Sequence, residues 1–240
     1  MYENLLANVP TDLWIGGKWR KASDNARFDV IDPATEKKVA SVASATPEDA
    51  IAALDAADAA FPAWAAKKPR ERGEILRKAF ELIMRDAERL AKLITVENGK
   101  ALPDSRGEVA YAAEFFRWNA EEAVRNLGQM STAPSSGARI LVQHKPAGIA
   151  VLVTPWNFPA AMATRKIGPA LAAGCTVVLK PSELSPLSAL LFTEVVHDAG
   201  VPAGVFNLVS GTGPEVGAAL AAHPDVDMIS ITGSTRAGVL

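Results

Sequence analysis

The chain has 240 residues, of which 49% are hydrophobic and 22% are charged, and its formal net charge is −2. These values are typical of a globular protein, and because there is no basic excess to neutralise a phosphate backbone, we expect no nucleic-acid partner. No stretch reaches the ~20 apolar residues of a membrane span. The N-terminus has neither a basic region nor a long apolar run, so we expect a cytoplasmic protein without a signal peptide or membrane anchor.

Cysteine and histidine are scarce. Cys175 is the single cysteine, and His144, His197 and His223 lie far apart in the sequence. One cysteine cannot form an internal disulfide, and neither residue type occurs at the spacing of metal ligands. We therefore expect no metal site.

The first part of the chain predicts strands and then a helix. A short apolar run from Leu13 is broken by a glycine pair, which favours a hairpin, and residues 28–43 alternate as strands do. Thr46 can cap a helix whose first residue is Pro47. We expect this helix to run to about Trp64.

Two apolar faces at helical spacing follow. The first comprises Leu76, Phe80, Ile83, Ala87, Leu90 and Ile94. It predicts one continuous helix that ends at Gly99, because glycine accepts the left-handed conformation of a helix stop. The second comprises Val109, Ala112, Phe116, Ala120, Ala123 and Leu127. It predicts a helix that ends at Gly128.

Residues 129–147 differ in character. Residues 130–137 are rich in Ser, Thr, Pro and Gly, and residues 139–145 read as a strand that Pro146 ends. A lone strand between helical regions needs a partner. That partner lies either elsewhere in the chain or on another subunit.

The remaining sequence alternates between apolar strands and helices. The predicted strands are 149–154, 176–179, 205–209 and 228–231, and the predicted helices are 158–173, 185–199 and 214–222. This order predicts an α/β fold of the Rossmann-like type, with a parallel sheet covered by helices on both faces. After the last strand, Ser234 occupies a helix N-cap position. The chain then ends with a βαβ unit half built; a frayed terminus is one explanation, and we favour a longer protein.

Polar residues follow the first two of these strands, where ligands bind in parallel sheets. In Thr154–Pro159, two prolines stiffen a turn that carries Trp156 and Asn157. The Asn157 amide is a neutral donor suited to an oxyanion. Taken alone, however, the hexapeptide slightly favours Trp156 as a core residue and Asn157 as a helix cap. Lys180 and Glu183 are either a solvated ion pair or ligands for ribose hydroxyls.

Glycines follow the other two strands. The run Gly211–Gly217 departs from the G-x-G-x-x-G spacing, and turn and packing glycines explain it as well as a ligand does. Thr232–Thr235 offers a hydroxyl and free amides at a helix N-terminus, which suits a pyrophosphate.

Taken together, these motifs resemble the aldehyde dehydrogenase family in order and spacing, over essentially all 240 residues. Within the family, residues 107–115 and 158–166 are most similar to succinate-semialdehyde dehydrogenases. The resemblance implies a dinucleotide-binding domain over residues 1–127 and 148–240, joined to bridging strands over residues 128–147 that pair with a neighbouring subunit in a homodimer or homotetramer.

The resemblance also implies roles for individual residues. Asn157 is the expected oxyanion-hole amide. The expected cofactor-binding residues are Trp156, Lys180, Ser182, Glu183, Gly213, Gly217, Gly233 and Ser234. Lys180 and Glu183 are expected to hold the adenosine ribose, which favours NAD as the cofactor, with some use of NADP. Arg165 is expected to bind the carboxylate of a semialdehyde substrate; the alternative is a solvated arginine or a pair with Glu114.

One departure concerns catalysis. In the family, a cysteine thiolate attacks the aldehyde and a glutamate acts as general base, and both belong to motifs that follow residue 240. Cys175 matches a structural position of the family. We therefore expect residues 1–240 alone to be inactive as a dehydrogenase; the alternative is a stand-alone dinucleotide-binding module.

Overall fold

The computed structural model describes residues 3–239. Its helices are α1 (Glu3–Leu6), α2 (Pro47–Ala66), α3 (Pro69–Arg85), α4 (Ala87–Asn98), α5 (Leu102–Glu122), α6 (Ala161–Ala173), α7 (Pro186–Asp198), α8 (Ala218–Ala222), which follows a π-helical turn at Gly213–Gly217, and α9 (Thr235–Val239). Its strands are β1 (Leu13–Ile15), β2 (Lys18–Arg20), β3 (Arg27–Ile31), β4 (Lys38–Ala43), β5 (Gln129–Thr132), β6 (Arg139–Val142), β7 (Ile149–Val153), β8 (Thr176–Lys180), β9 (Phe206–Leu208) and β10 (Met228–Ile231).

Six strands form the central sheet in the order β10-β7-β8-β9-β1-β2. The first four are parallel, whereas β1 pairs antiparallel with β9 and with β2. The prediction of a mostly parallel Rossmann-like sheet is confirmed. The N-terminal hairpin is also confirmed, and it extends this sheet, which periodicity alone does not indicate.

Helices cover both faces of the sheet. Alternate residues of β7 and β8 belong to two separate apolar clusters: Ala150 and Leu152 face one, and Ile149 and Val151 face the other. The first cluster contains buried residues of α3 to α7 together with Trp64 of α2, and the second contains the other buried apolar residues of α2 and those of α8. This arrangement explains why the strands are apolar on both sides.

The helix ends follow the predicted caps. Thr46 and Asp49 form a capping box at the start of α2. Gly99, Gly174 and Gly200 have φ angles of 75°, 97° and 98°, the left-handed conformation expected where helices stop. In residues 3–239, no helix combines the length and apolarity needed to cross a membrane, and no cluster of potential metal ligands is found.

Two helix predictions are wrong. The face from Leu76 to Ile94 belongs to two helices, because Asp86 leaves helical geometry (φ −98°, ψ 13°) between α3 and α4. Its carboxylate accepts bonds from the Arg85 guanidinium at 2.9 and 2.6 Å, and aspartate has a low intrinsic helix propensity. A break of one residue leaves the apolar spacing intact.

The second error concerns the end of α5, which stops at Glu122 and not at Gly128. Leu127 is 73% exposed and adds nothing to the buried face. Gly128 has another role: a Cβ built there would lie 2.1 Å from the Val142 carbonyl oxygen, so the glycine permits the close start of a β-hairpin.

That hairpin supplies the partner of the strand predicted to be alone. β5 and β6 pair antiparallel from Gln129↔Val142 to Thr132↔Arg139, so the partner lies within the chain. All residues of both strands are exposed. The hairpin forms its own two-stranded sheet, as do β3 and β4.

Candidate active site

The loop after β7 presents Trp156 and Asn157 to solvent. Trp156 is 54% exposed and the Asn157 side chain is exposed, so Trp156 is not a core residue. Asn157 does not cap α6 either, since the N-cap position is Ala160. Both alternative explanations of the motif are therefore wrong. Within residues 3–239, the Asn157 amide makes no hydrogen bond in the structure and remains able to donate.

The loop is held through its main chain. Asn98 Nδ2 donates to the Trp156 carbonyl oxygen at 2.7 Å, and Lys100 Nζ donates to the Asn157 carbonyl oxygen at 3.0 Å. Ser185 Oγ is also 3.4 Å from the Trp156 oxygen. The turn between α4 and α5 thus fixes two consecutive peptide groups of the loop.

Glu108, which sequence reasoning missed, anchors the far end of the same loop. Its carboxylate is buried, pairs with Lys100, and accepts bonds from the backbone nitrogens of Ala160 and Ala161 at 2.8 and 3.2 Å. A carboxylate at a helix N-terminus accepts bonds from unpaired N–H groups and interacts favourably with the positive end of the helix dipole. A signal was present: Glu108 precedes Ala112 by four residues and therefore lies on the buried face of α5.

Lys180, the last residue of β8, lies close to Glu183 in the loop that follows and to Gly217 in the π-helical turn. Lys180 is 3% exposed; its Nζ donates to the Pro181 carbonyl oxygen at 2.8 Å and lies 3.6 Å from Glu183 Oε2. Burial lowers the pKa of Lys180, and the Glu183 carboxylate opposes that change. A Cβ at Gly217 would lie 3.8 Å from Lys180 Cδ, so the π-helical turn passes directly beside the lysine stem.

Ser182 and Glu183 face different surroundings. Ser182 is 8% exposed, and its Oγ accepts a bond from the Leu184 nitrogen at 3.2 Å, which stabilises the turn. The Glu183 side chain is 50% exposed. Of this pair, Glu183 is the side chain that is accessible to a ligand.

The loop after β10 emerges beside the loop after β7. Ile231 pairs with Val153, and the Thr232 nitrogen donates to the Val153 carbonyl oxygen at 3.1 Å. Ser234 Oγ accepts a hydrogen bond from the Ala237 nitrogen at 3.2 Å, so Ser234 caps α9 as predicted. Packing does not require the glycines: a Cβ at Gly233 would meet only the Ala237 side chain, at 3.7 Å, and one at Gly213 would meet no atom within 4 Å.

Arg165 lies on α6 with an exposed guanidinium. Its Nη2 donates to the Tyr111 hydroxyl at 2.6 Å, and its guanidinium carbon is 5.2 Å from the centre of the Phe115 ring. It does not pair with Glu114, whose carboxylate binds Arg117 at 2.6 Å. The alternative pair with Glu114 is therefore wrong, whereas the alternative of a solvated arginine is not contradicted by the exposed guanidinium.

Two further buried groups went unnoticed in the sequence. Lys166 Nζ donates to Ser230 Oγ on β10 at 2.7 Å, and burial lowers the pKa of this lysine. Glu97 is wholly buried, and its carboxylate accepts from the Leu187 and Ser188 nitrogens at 2.7 and 2.8 Å. Burial raises the pKa of Glu97 to about 7, against the effect of these bonds. Glu97 thus ties the end of α4 to the start of α7.

Cys175 is 4% exposed, at the junction of α6 and β8. Its position supports the prediction that this thiol packs as a small apolar group.

Comparison with known proteins identifies the family. The chain is 53% identical over 201 residues to a succinate-semialdehyde dehydrogenase of Paenarthrobacter nicotinovorans, covering 83% of this chain and 45% of the relative. It is 47% identical over 224 residues to an NADP-dependent succinate-semialdehyde dehydrogenase of Escherichia coli K12, covering 93% of this chain and 46% of the relative. The chain thus spans about half the length of these curated relatives.

Solved structures agree. The betaine aldehyde dehydrogenase of Staphylococcus aureus, in complex with NAD⁺, superposes with a TM-score of 0.96 at 33% identity, over 99% of this chain and 47% of that chain. Residues 19–240 match the aldehyde dehydrogenase family. The chain belongs to the aldehyde dehydrogenase family.

Proposed function

We propose that this chain supplies the cofactor-binding and oxyanion-binding residues of an NAD(P)-dependent semialdehyde dehydrogenase. The observation that carries the proposal is the clustering of three loops at the carboxyl edge of the parallel strands. These loops carry Trp156 and Asn157, then Lys180 and Glu183, then Gly233 and Ser234. Ligands bind at this edge in open α/β sheets.

The residues at this edge fit a dinucleotide. The Lys180 ammonium is buried and carries three N–H donors. One of them bonds to the Pro181 carbonyl oxygen at 2.8 Å, so donors remain for ribose hydroxyls. Glu183 is exposed and can accept from those hydroxyls. Gly213, Gly217 and Gly233 leave room for close approach, and the exposed Trp156 indole and the Ser234 hydroxyl suit the pyrophosphate. A bound nicotinamide would supply the acceptor for the hydride.

Asn157 is suited to stabilise the oxyanion that forms when a nucleophile attacks the aldehyde carbon. Its amide is exposed and neutral, and its backbone is fixed on both sides. A preorganised donor of this kind typically accounts for 10²–10³ in kcat. Cys175 is too deeply buried to reach such a carbon, so we propose that the attacking thiolate and the general base lie outside these 240 residues.

The proposed substrate is an aldehyde with a carboxylate at its other end, such as succinate semialdehyde. Arg165 follows Asn157 by eight residues on the helix that leaves the loop, or roughly 12 Å of rise if the whole segment were helical. Its guanidinium is oriented by Tyr111 and has no carboxylate partner in residues 3–239. Two of the relatives above are named for succinate semialdehyde, which agrees with this assignment.

The test is aldehyde-dependent formation of NADH, followed at 340 nm, for the full-length protein and for purified residues 1–240. We expect turnover of succinate semialdehyde by the full-length protein and none by residues 1–240. Binding of NAD without oxidation by the full-length protein would favour the dinucleotide-binding module. Turnover by residues 1–240 that Cys175→Ser abolishes would make Cys175 the nucleophile and contradict the proposal.

A further inference from the structure

We propose that the turn between α4 and α5 is the element that positions the oxyanion donor, with Lys100 and Asn98 as its positioning residues. This inference rests on the proposed role of Asn157. Neither Lys100 nor Asn98 needs to contact the substrate. They act by bonding to the main-chain carbonyl groups of Trp156 and Asn157, which fixes the backbone that carries these two side chains.

The turn binds the loop at successive carbonyl groups. Asn98 holds the Trp156 oxygen at 2.7 Å and Lys100 holds the Asn157 oxygen at 3.0 Å, across 58 and 57 residues of sequence. The two anchored carbonyls belong to the peptide groups on either side of the Asn157 Cα, and the bonds fix the orientation of both groups. The Asn157 side chain leaves the backbone between these anchors, so its direction is constrained even though its amide is free to donate.

Lys100 has a complete set of partners at this point. Its side chain is 14% exposed and pairs with the fully buried Glu108 carboxylate. Its Nζ also lies 3.7 Å from the centre of the Phe158 ring, which follows Asn157 directly. One ammonium therefore holds a carbonyl, a ring and a carboxylate. Charge-assisted bonds are stronger than neutral ones, and the carboxylate of the Lys100–Glu108 pair is shielded from solvent.

Glu108 extends the restraint to the other end of the loop. The same carboxylate that binds Lys100 accepts from the Ala160 and Ala161 nitrogens. The pair therefore binds the loop at two points, Lys100 at the Asn157 carbonyl and Glu108 at the Ala160 nitrogen. The segment that contains the proposed oxyanion donor has little freedom left between these points.

The turn is itself held in place. Gly99 has a φ of 75°, and a Cβ at this position would lie 2.9 Å from Pro33 Cγ, so a larger residue would displace the turn. Immediately before it, Glu97 is bonded to the first amides of α7. The turn is therefore a rigid support, as a positioning element requires.

The experiment is a double-mutant cycle in the full-length enzyme, with Lys100→Met, Asn157→Ala and the combination, at saturating aldehyde and NAD. A misplacement of about 1 Å costs about 10²-fold in rate, so we expect Lys100→Met to lower kcat by about 10- to 100-fold. The dissociation constant for NAD should change by less than about twofold, since Lys180 and Glu183 are untouched. In the Asn157→Ala background, Lys100→Met should lower kcat no further.

Companion variants separate positioning from general stability. Lys100→Arg should restore much of kcat, because a guanidinium can bond to both the Asn157 carbonyl and Glu108. Asn98→Ala should lower kcat by a smaller factor in the same non-additive way. Lys92→Met is the matched control: Lys92 is an exposed lysine on α4, 3.6 Å from Glu88, and its loss should leave kcat unchanged.

Should Lys100→Met fail to fold because Glu108 is left buried without its cation, Lys100→Met/Glu108→Gln removes both charges and keeps an acceptor for the α6 amides. Additive effects of Lys100→Met and Asn157→Ala, or equal losses of kcat and NAD binding, would overturn the proposal. If Asn157→Ala alone leaves kcat unchanged, it is the oxyanion assignment that fails. The two failures are thereby distinguished.

Discussion

The Arg165 guanidinium donates a 2.6 Å hydrogen bond to the Tyr111 hydroxyl, across the packed helices α6 and α5. It also stands 5.2 Å from the centre of the Phe115 ring. These contacts orient the guanidinium without neutralising its charge. An arginine held in this way keeps its remaining donors for an anion, which is what a carboxylate-binding residue needs.

Arg165→Ala should raise the KM for succinate semialdehyde by about 10- to 100-fold, because losing a hydrogen bond to a charged group costs roughly 1.5–3 kcal/mol. The KM for butanal, which has no carboxylate, should hardly change. Steady-state kinetics with both aldehydes check this. Arg117→Ala is a suitable control, since Arg117 binds Glu114 on the exposed side of α5. Equal losses with both aldehydes would make Arg165 structural.

Tyr111→Phe tests whether the arginine has to be oriented. The ring and its packing against Phe115 remain, while the acceptor for Arg165 is lost. A typical hydrogen bond contributes about 1 kcal/mol, so we expect the KM for succinate semialdehyde to rise about fivefold, with kcat unchanged. In an Arg165→Ala background the same change should have no effect. A fivefold effect that persists there would place the Tyr111 hydroxyl in contact with the substrate.

The sequence predicts the parallel strands because each is a short apolar run between helical patterns. The strands are apolar throughout because alternate residues, as in β7, pack into the apolar clusters on the two faces of the sheet. It also predicts caps such as Thr46 and Gly99, which depend on local chemistry. It fails where contacts are distant. The bonds from Asn98 and Lys100 to the loop at 156–157 join residues more than fifty positions apart, and no periodic pattern encodes them.

The errors at Asp86 and Gly128 have a related cause. A break of one residue preserves the spacing of apolar side chains, so the periodicity of α3 and α4 reads as continuous. Gly128 reads as a helix stop, but its close approach to Val142 shows that it serves the hairpin. Among the site residues, the exposed motifs at strand ends are visible in the sequence. The spacing of α5 indicates that Glu108 is buried, but the sequence does not indicate the partners of Glu97 and Glu108, because those partners are backbone amides of other helices.

Glu97 should make stability depend on pH. Its pKa is about 7 in the folded protein against 4.5 as an ordinary glutamate, so the folded state binds more protons than the unfolded state between these values. The stabilising effect is complete below about pH 4.5 and is lost as the pH rises through 7. The difference corresponds to about 3 kcal/mol.

The measurement compares urea denaturation of the full-length protein and of Glu97→Gln between pH 4.5 and 8. Glutamine does not titrate, so the difference in unfolding free energy between the two proteins should change by about 3 kcal/mol over this range. The wild-type protein should become less stable relative to Glu97→Gln as the pH rises. Glu81→Gln, on the exposed side of α3, should show no such trend. Parallel curves for wild type and Glu97→Gln would show that Glu97 is already ionised throughout.

The β5–β6 hairpin should mediate association, in line with the proposed pairing of residues 128–147 with a neighbouring subunit. Met130 and Leu141 are cross-strand partners, and they are 72% and 67% exposed. Partners in a sheet share a face, so the hairpin presents a contiguous apolar pair. Leu141→Arg should reduce the molar mass measured by light scattering to a smaller oligomer or a monomer. Ser135→Arg, in the hairpin turn, should not.

Glu183 should set the preference between NAD and NADP. Its carboxylate is half-exposed; in the proposed role it accepts from ribose hydroxyls, and a 2′-phosphate would meet a like charge there. At about 4 Å and an effective dielectric of about 20, that repulsion approaches 4 kcal/mol, and solvent exposure and Lys180, 3.6 Å away, reduce it. We therefore expect NAD to be preferred, with measurable use of NADP.

Glu183→Ser removes both the acceptor and the charge. We expect the ratio of kcat/KM for NADP to that for NAD to rise by about 10- to 100-fold, since each tenfold change corresponds to about 1.4 kcal/mol. The rise should shrink with added salt, because the repulsion at an exposed carboxylate is screened over about 10 Å at 0.1 M. Glu81→Ser removes a distant surface charge and should leave the ratio unchanged, which excludes an effect of net charge alone. An unchanged ratio in Glu183→Ser would mean that this carboxylate points away from the ribose.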